Sequence, residues 1–210
     1  STTDSLTINN VAINSTTGAN VNLSNTAGAG VAAEAQFTVG GYESVTFNTG
    51  SGAGNVEQDI DAITINPDTV TTDVSLTITG GNAIDLDNGG VVTNSTGVLT
   101  IDASGMTAQA AGTTTFEIAA TAQGVGGTAV ITGSEGEDII VTGNFASTIS
   151  TGAGVDVITG GTAADTISGG AGNDTITGSG GNDTLNGDDG NDTITATTAG
   201  NYTVTGGAGN

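Results

Sequence analysis

The chain is 210 residues long and carries 22 Asp and Glu side chains but no Lys, Arg, His or Cys, which sets its formal net charge at −22. Without basic residues it has nothing to neutralise nucleic-acid phosphates, and without His or Cys it cannot build a His-dependent catalytic triad, a His- or thiolate-bound zinc site or a disulfide. No apolar run approaches the roughly 18 residues of a membrane span.

Residues 1–130 contain short β-rich pieces in which apolar and polar residues alternate between turns rich in Gly, Asn, Ser and Asp. Because 37 residues are Gly and only 3 % are aromatic, the chain lacks the bulky side chains of a thick globular core and needs many short strands around a thin one. We therefore predict an irregular β-helix or sandwich-like region over residues 1–130. Its clearest pieces are 6–8, 45–47, 63–65, 76–78, 99–101, 116–118 and 130–131.

Two acidic pairs lie in this region, Asp59 with Asp61 and Asp85 with Asp87, each with one residue between its members. Residues two apart share one face of a strand or one turn. Because the chain has no cation of its own, clustered carboxylates are destabilising unless solvent supplies a cation, and oxygen-only ligands favour a hard ion such as calcium. The pairs are candidate calcium ligands, and a solvated acidic surface is the alternative interpretation.

A nine-residue repeat begins at Gly133 and keeps its register through Thr195. Its seven blocks follow the pattern GGxGxDxUx, where U is a large aliphatic residue; the sixth place is Asp in six blocks and the eighth is Ile or Leu in all seven. Glycine at the early places permits positive φ and close approach of neighbouring turns. The last three residues of a block, such as 175–177, form a minimal strand whose central aliphatic side chain points inward.

The repeat resembles the RTX (repeats-in-toxin) calcium-binding nonapeptide of bacterial proteins secreted by the type I route. The resemblance implies a calcium-bound parallel β-roll in which two nonapeptides form one coil, so that the same edge recurs every 18 residues. It also implies that calcium lies between successive turns of one edge, held by paired Asp side chains and turn carbonyls. Carried over to this sequence, the implied ligands are Asp138, Asp156, Asp174 and Asp192 on one edge and Asp165 and Asp183 on the other.

The sequence departs from the repeat pattern at several positions. Ser147 stands at an Asp place, and Phe145 and Ala163 stand at Gly places, which weakens the case for calcium beside them. Asn201 is expected to follow Asp183 along its edge, and Asp188, inside a turn, is a further candidate ligand or a solvated side chain. After residue 195 the frame slips, and residues 206–210 begin a repeat that stops before its Asp. We therefore expect a β-roll over residues 131–210 within a fragment of a longer protein.

A long Thr-, Gly- and Ala-rich β-solenoid sequence followed by RTX blocks is similar to the calcium-dependent surface-layer proteins of Gram-negative bacteria, of the Caulobacter type. The segment 99–106, ahead of the RTX blocks, gives the sequence this likeness. It implies a secreted structural protein of the bacterial cell surface that self-associates into a lattice or matrix, with cell-surface polysaccharide as a partner for a part outside this chain. Neither HExxH nor GxSxG occurs, so we expect no enzyme activity.

Two alternatives stay open. One is a segment of a secreted RTX adhesin, an ice-binding one included, because outward Thr residues recur at 166, 175, 184 and 193. The other is the folding and secretion tail of an RTX enzyme or toxin. In all three cases we expect carboxylate repulsion to keep the chain unfolded where calcium is scarce, and calcium to fold it after export, since metal-binding energy becomes folding energy.

Overall fold

The structure is a computed structural model that describes residues 19–22, 35–40, 44–49, 58–66, 73–81, 83–86, 90–93, 96–108, 113–120, 127–197 and 200–209. Within these ranges the chain forms eighteen strands and no helix. The strands are β1 (Ala19–Asn22), β2 (Ala35–Gly40), β3 (Ser44–Asn48), β4 (Gln58–Asn66), β5 (Val74–Gly80), β6 (Ile84–Leu86), β7 (Gly90–Thr93), β8 (Val98–Met106), β9 (Thr114–Ala120), β10 (Thr128–Thr132), β11 (Glu137–Thr142), β12 (Ser147–Ala153), β13 (Val157–Thr159), β14 (Thr166–Ala171), β15 (Thr175–Thr177), β16 (Thr184–Asn186), β17 (Thr193–Thr195) and β18 (Thr203–Thr205).

The strands form two sheets whose neighbours are parallel. The first sheet has the order β1-β3-β5-β8-β10-β12-β14-β16-β18, and the second has the order β17-β15-β13-β11-β9-β6-β4-β2 with β7 beside β4. From β8 onward each strand pairs with the next but one, so the chain winds alternately through the two sheets as a solenoid. The all-β solenoid predicted from the sequence is confirmed.

The nine-residue frame sets the register of the last coils. Thr148 pairs with Thr166 and Thr166 with Thr184 in the first sheet, while Thr175 pairs with Thr193 in the second. Each offset is 18 residues, which is one coil of two blocks. The parallel β-roll implied by the repeat is therefore present over the RTX blocks.

The strands before the roll wind through the same two sheets, less regularly. Bulges shift the register within β4, β5 and β9 pairings, and β7 branches from the main strand order. Both sheets continue past residue 130, because β10 pairs with β8 and β12 in the first sheet and β11 pairs with β9 and β13 in the second. The division into regions 1–130 and 131–210 remains a prediction.

The core between the sheets narrows along the chain. Several strands before the roll bury two or more apolar side chains, such as Leu76 and Ile78 in β5, because alternate residues of a longer strand point inward. A three-residue strand of the roll has only one inward residue, such as Ile176 or Leu185, and both of these are fully buried. The roll therefore has little apolar surface per coil, and its turns must add to the stability of the fold.

Candidate metal centre

The candidate ligands lie in the turns that connect the two sheets. On the first edge, turns lead from the first sheet to the second and occupy residues 133–138, 151–156, 169–174 and 187–192. On the second edge, turns lead back and occupy residues 142–147, 160–165 and 178–183. Stacking of the coils places the sixth residue of each turn above its equivalent 18 residues away, and this residue is Asp in six of these seven turns.

On each edge the Asp side chains form a ladder, in which each carboxylate accepts a hydrogen bond from a main-chain amide of the preceding coil. Asp156 Oδ1 accepts a hydrogen bond from the Asp138 amide at 2.9 Å, and on the second edge Asp183 Oδ1 accepts one from the Asp165 amide at 3.0 Å. A carboxylate oxygen thus takes the role of a main-chain carbonyl between two turns. The remaining bonds of this kind join the Asp156 amide to Asp174, the Asp174 amide to Asp192 and the Ser147 amide to Asp165.

The second oxygen of most ladder carboxylates is buried without a partner. Among the described residues, four buried side-chain oxygens lack any hydrogen bond, and all four are Oδ2 atoms of ladder residues: Asp156, Asp174, Asp183 and Asp192. A buried, unsatisfied carboxylate oxygen costs free energy unless it is protonated or bound to a cation. The ladder is therefore incomplete as a purely protein structure.

Burial also changes the acidity of the ladder. Burial raises the pKa of Asp138 from 3.8 to about 7 and that of Asp156 to about 6, with a further increase from the neighbouring Asp in each case. The pKa values of Asp165 and Asp174 are raised for the same two reasons. Both effects disfavour the charged carboxylate, and a bound cation would reverse them.

Main-chain carbonyls converge on the same places as the Oδ2 atoms. A Cβ atom added to Gly187, at the first place of its block, would collide with the unpartnered Asp192 Oδ2 and with the Gly206 carbonyl oxygen of the next coil. A Cβ atom on Gly178 would lie 2.7 Å from Asp183 Oδ2. The absent side chain thus leaves a small space that is bordered by oxygen atoms and would be closed by any larger residue.

These features fit a hard divalent cation of the calcium type. Calcium takes six to eight oxygen ligands in a flexible geometry, and carbonyl as well as carboxylate oxygens serve. Within the described part of the chain, no three acidic side chains converge on one point. An ion here would therefore be held by carboxylates of successive turns together with turn carbonyls, as the repeat pattern implied.

Two ladder residues have protein partners for both oxygens. Asp138 accepts hydrogen bonds from the Ser134 amide at 2.7 Å and from the Ser134 hydroxyl at 2.6 Å. Asp165 accepts one from the Gly161 amide at 3.0 Å in addition to the bond from Ser147. Both lie in the first Asp-containing turn of their edge, and the sequence pattern had not distinguished them from the other four.

The second edge has Ser147 in place of Asp in turn 142–147, and no Asp lies above Asp183 at its other end. Phe145 is 8 % exposed and packs into the core at the Gly place of turn 142–147, while the Ser147 hydroxyl donates to the Phe145 carbonyl. Beyond Asp183 the expectation for Asn201 was wrong by one residue. The pairing of Thr184 with Thr203 places Tyr202 above Asp183, because one extra residue lies between β17 and β18.

Asp188 lies outside the ladder. Its oxygens accept hydrogen bonds from the Ser168 hydroxyl and the Asn186 side-chain amide, so both are used within the protein. Its φ of 68° is the left-handed conformation that the repeat normally assigns to Gly at this second place. Asp188 thus joins two neighbouring coils, and its role as a calcium ligand stays a prediction.

Three acidic residues of the N-terminal region occupy opposite register positions on neighbouring strands. In the second sheet Asp59 of β4 lies opposite Asp85 of β6, which lies opposite Glu117 of β9. Asp61 also lies in β4, and Asp87 is outside the described residues. Local spacing pairs Asp59 with Asp61 and Asp85 with Asp87 and gives no sign of Glu117, because pairing between distant strands has no signature in local spacing.

Comparison with known proteins supports the roll and gives no relative for the chain as a whole. Residues 132–167 and 159–194 match the family model of the RTX calcium-binding nonapeptide repeat, in four copies. No curated protein and no solved structure matches the chain. In the described part of the chain, no helix has the length and apolar character needed to cross a membrane. The segment 132–194 therefore matches the RTX calcium-binding repeat by sequence and folds as a parallel β-roll.

Proposed function

We propose that this chain is a calcium-folded structural protein of the bacterial cell surface, most similar in role to a surface-layer subunit, and that it has no enzyme activity of its own. The observation that supports calcium folding best is the set of four buried Oδ2 atoms without partners, since all four belong to the ladder. A cation is the missing element that would satisfy them without protonation.

The ladder residues would hold the ion through paired carboxylates and turn carbonyls. Asp174 has a central part, because its Oδ1 fixes the Asp156 amide and its own amide binds Asp192. Calcium would supply the positive charge that a chain with a net charge of −22 lacks. Without it, repulsion between buried carboxylates opposes closure of the turns, so the free energy of ion binding becomes free energy of folding.

This coupling suits export in an unfolded state followed by folding outside the cell, where calcium is abundant. We propose that calcium then also joins neighbouring subunits, whose acidic surfaces otherwise repel each other. The product would be a lattice or matrix at the cell surface, with attachment to surface polysaccharide through a part of the protein outside this sequence.

One structural feature favours a secreted adhesin as the second candidate. The outward face of the first sheet has a column of eight residues in register, all with hydroxyl groups except Val130. Adjacent members lie about 4.8 Å apart, as in any sheet, so the hydroxyl groups form a regularly spaced array that suits an ordered ligand such as ice. The column consists of Ser44, Ser75, Thr100, Val130, Thr148, Thr166, Thr184 and Thr203.

Light scattering during a calcium titration, with magnesium as the control, separates the candidates. We expect a sharp rise in scattering with calcium alone that a chelator reverses, because the lattice requires calcium. Scattering that stays flat while calcium binds would contradict the surface-layer role. Measurement of thermal hysteresis in calcium-loaded protein would then test the adhesin, with Thr166→Val as the variant that removes one hydroxyl at constant shape.

A further inference from the structure

The six Asp-containing turns of the roll adopt two different backbone conformations. In turns 151–156, 169–174, 178–183 and 187–192 the second residue has a φ of 68–113° and the fourth residue a φ of 116–143°. We call these the open turns. In turns 133–138 and 160–165 neither the second nor the fourth residue has a positive φ, and we call these the closed turns.

The hydrogen bonding of the Asp carboxylate differs between the two conformations. In the closed turns the amide of the second residue donates to Oδ2: Ser134 to Asp138 at 2.7 Å and Gly161 to Asp165 at 3.0 Å. In every open turn the corresponding Oδ2 is buried without a partner. Backbone torsion and hydrogen bonding are separate observations, and they divide the six turns in the same way.

Ala163 explains why turn 160–165 is closed. It stands at the fourth place, where the open turns have Gly with a φ of 116–143°. Residues with a side chain rarely adopt such torsions. In the open turns a Cβ at this place would also collide with a main-chain carbonyl of the preceding coil, as for Gly172 with the Gly154 carbonyl oxygen. Ala163 therefore blocks the open conformation both by torsion and by contact.

Ser134 stabilises the other closed turn. Its hydroxyl donates to Asp138 Oδ1 at 2.6 Å and accepts a hydrogen bond from the Gly136 amide at 3.0 Å. Together with its own amide, Ser134 thus makes three hydrogen bonds inside one turn. Both Asp138 carboxylate oxygens therefore accept hydrogen bonds within the turn, and neither is left without a partner for an ion to satisfy.

We propose that the closed turns are self-capped and bind no calcium, and that Ala163 withholds a calcium site that the second edge would otherwise have. An ion between two turns needs both of them open, because each must direct an unpaired Oδ2 into the gap. Turn 178–183 is open, but its neighbour 160–165 is closed. The inference rests on the proposed function, since it assumes that the open turns are the calcium-binding form.

The substitution Ala163→Gly tests this by gain of binding. Glycine restores the repeat pattern, permits a positive φ and should let turn 160–165 open, which frees Asp165 Oδ2 to face Asp183. Equilibrium dialysis with radiolabelled calcium at saturation should then give one more calcium per chain than the wild type. The matched control is Ala164→Gly, which makes the same change at an exposed neighbouring place and should leave the count unchanged.

A double variant locates the added ion. In the double variant Ala163→Gly/Asp183→Asn, the oxygen of the new side-chain amide can still accept the hydrogen bond from the main-chain N–H of Asp165. Its NH2 group, a donor, replaces Oδ2, so the added calcium should be lost. A gain that survives this second change would overturn the inference. The inference would also be overturned if the Ala163→Gly variant bound the same number of calcium ions as a wild type that does bind calcium. A wild type that binds no calcium at all would instead refute the proposed function.

Discussion

Asp174 Oδ1 accepts a hydrogen bond from the Asp156 amide at 2.9 Å, while the Oδ2 atom of the same carboxylate is buried without a partner. One oxygen therefore completes the hydrogen bonding of the preceding coil. The other is left for a cation, which the chain itself cannot supply. The same division recurs at Asp156, Asp183 and Asp192. In each of these carboxylates, Oδ1 stabilises the stacking of the coils and Oδ2 is available to a cation.

Asp174→Asn should weaken calcium binding at two gaps, because Asp174 lies between Asp156 and Asp192 on the first edge. The Asn oxygen can still accept the Asp156 amide, so the turn is kept while one negative oxygen ligand is lost. We expect calcium affinity to fall by more than about tenfold, since losing even a group that only supports a ligand costs about 10–100-fold. Titration against a fluorescent calcium chelator measures this.

The control for that experiment is Asp102→Asn, which removes a carboxylate outside the roll that accepts hydrogen bonds from Ser104 of its own strand. Its calcium affinity should match that of the wild type. An equal loss in both variants would mean that total charge, and not the ladder, determines binding.

Stability of the calcium-free chain should depend on pH with an unusual sign. Burial raises the pKa of Asp138 to about 7 and that of Asp156 to about 6, above the unfolded value of 3.8. The folded state therefore holds more protons than the unfolded state between about pH 4 and pH 7, and the free energy of unfolding falls as the pH rises through that window. The folded fraction of the calcium-free chain, measured by circular dichroism, should therefore be higher at pH 5 than at pH 7.5.

The same protons compete with calcium, so calcium affinity should rise over this pH range. Folded fractions that are equal at the two pH values, or lower at pH 5, would contradict the burial of these carboxylates in the folded roll.

Ser134→Ala should destabilise the start of the roll without changing the number of calcium ions bound. The hydroxyl donates to buried Asp138 and accepts from Gly136, and losing a buried partner costs about 1–3 kcal/mol. Urea unfolding in saturating calcium measures the change. Ser150→Ala, at an exposed place of β12, is the control and should stay within about 0.5 kcal/mol of the wild type. Equal effects of the two substitutions would contradict the role of Ser134.

Gly172→Ala should strongly destabilise an open turn. Gly172 has a φ of 143°, and an added Cβ would collide with the Gly154 carbonyl of the neighbouring coil. The torsional cost alone is about 1–3 kcal/mol, and the collision adds to it. Gly206→Ala is the matched control, because a Cβ there meets no atom within 4 Å. Calcium-saturated urea unfolding should separate the two variants clearly, and similar midpoints would contradict the close stacking of the coils.

The repeat was sufficient to predict the register and the core of the roll. A nine-residue frame with one aliphatic residue per block leaves little choice, because a shift by one residue would turn Ile176 to solvent and Thr175 inward. The strands before the roll were predicted as β-rich pieces, but their pairing depends on loops of irregular length. That is why Glu117 was not placed beside Asp85.

Within the ladder the sequence identified the Asp residues and could not rank them. Whether Oδ2 of Asp165 is free depends on the torsion at Ala163 and on the Gly161 amide, and both are properties of the folded turn. The partners of Asp188 were hidden for a similar reason, since Ser168 lies a full coil away. The single extra residue before Tyr202 changed the register in a way that only strand pairing reveals.

Hydrogen exchange of the roll, followed by mass spectrometry of peptic peptides at pH 7.5, tests the central claim most directly. The chain would be compared in calcium, in magnesium and in chelator. If calcium binding at the ladder provides the folding energy, the strand amides of residues 156–195 should be protected in calcium only and exchange freely in the other two conditions. Equal protection of these amides with and without calcium would contradict the account, because the ladder would then be stable without any cation.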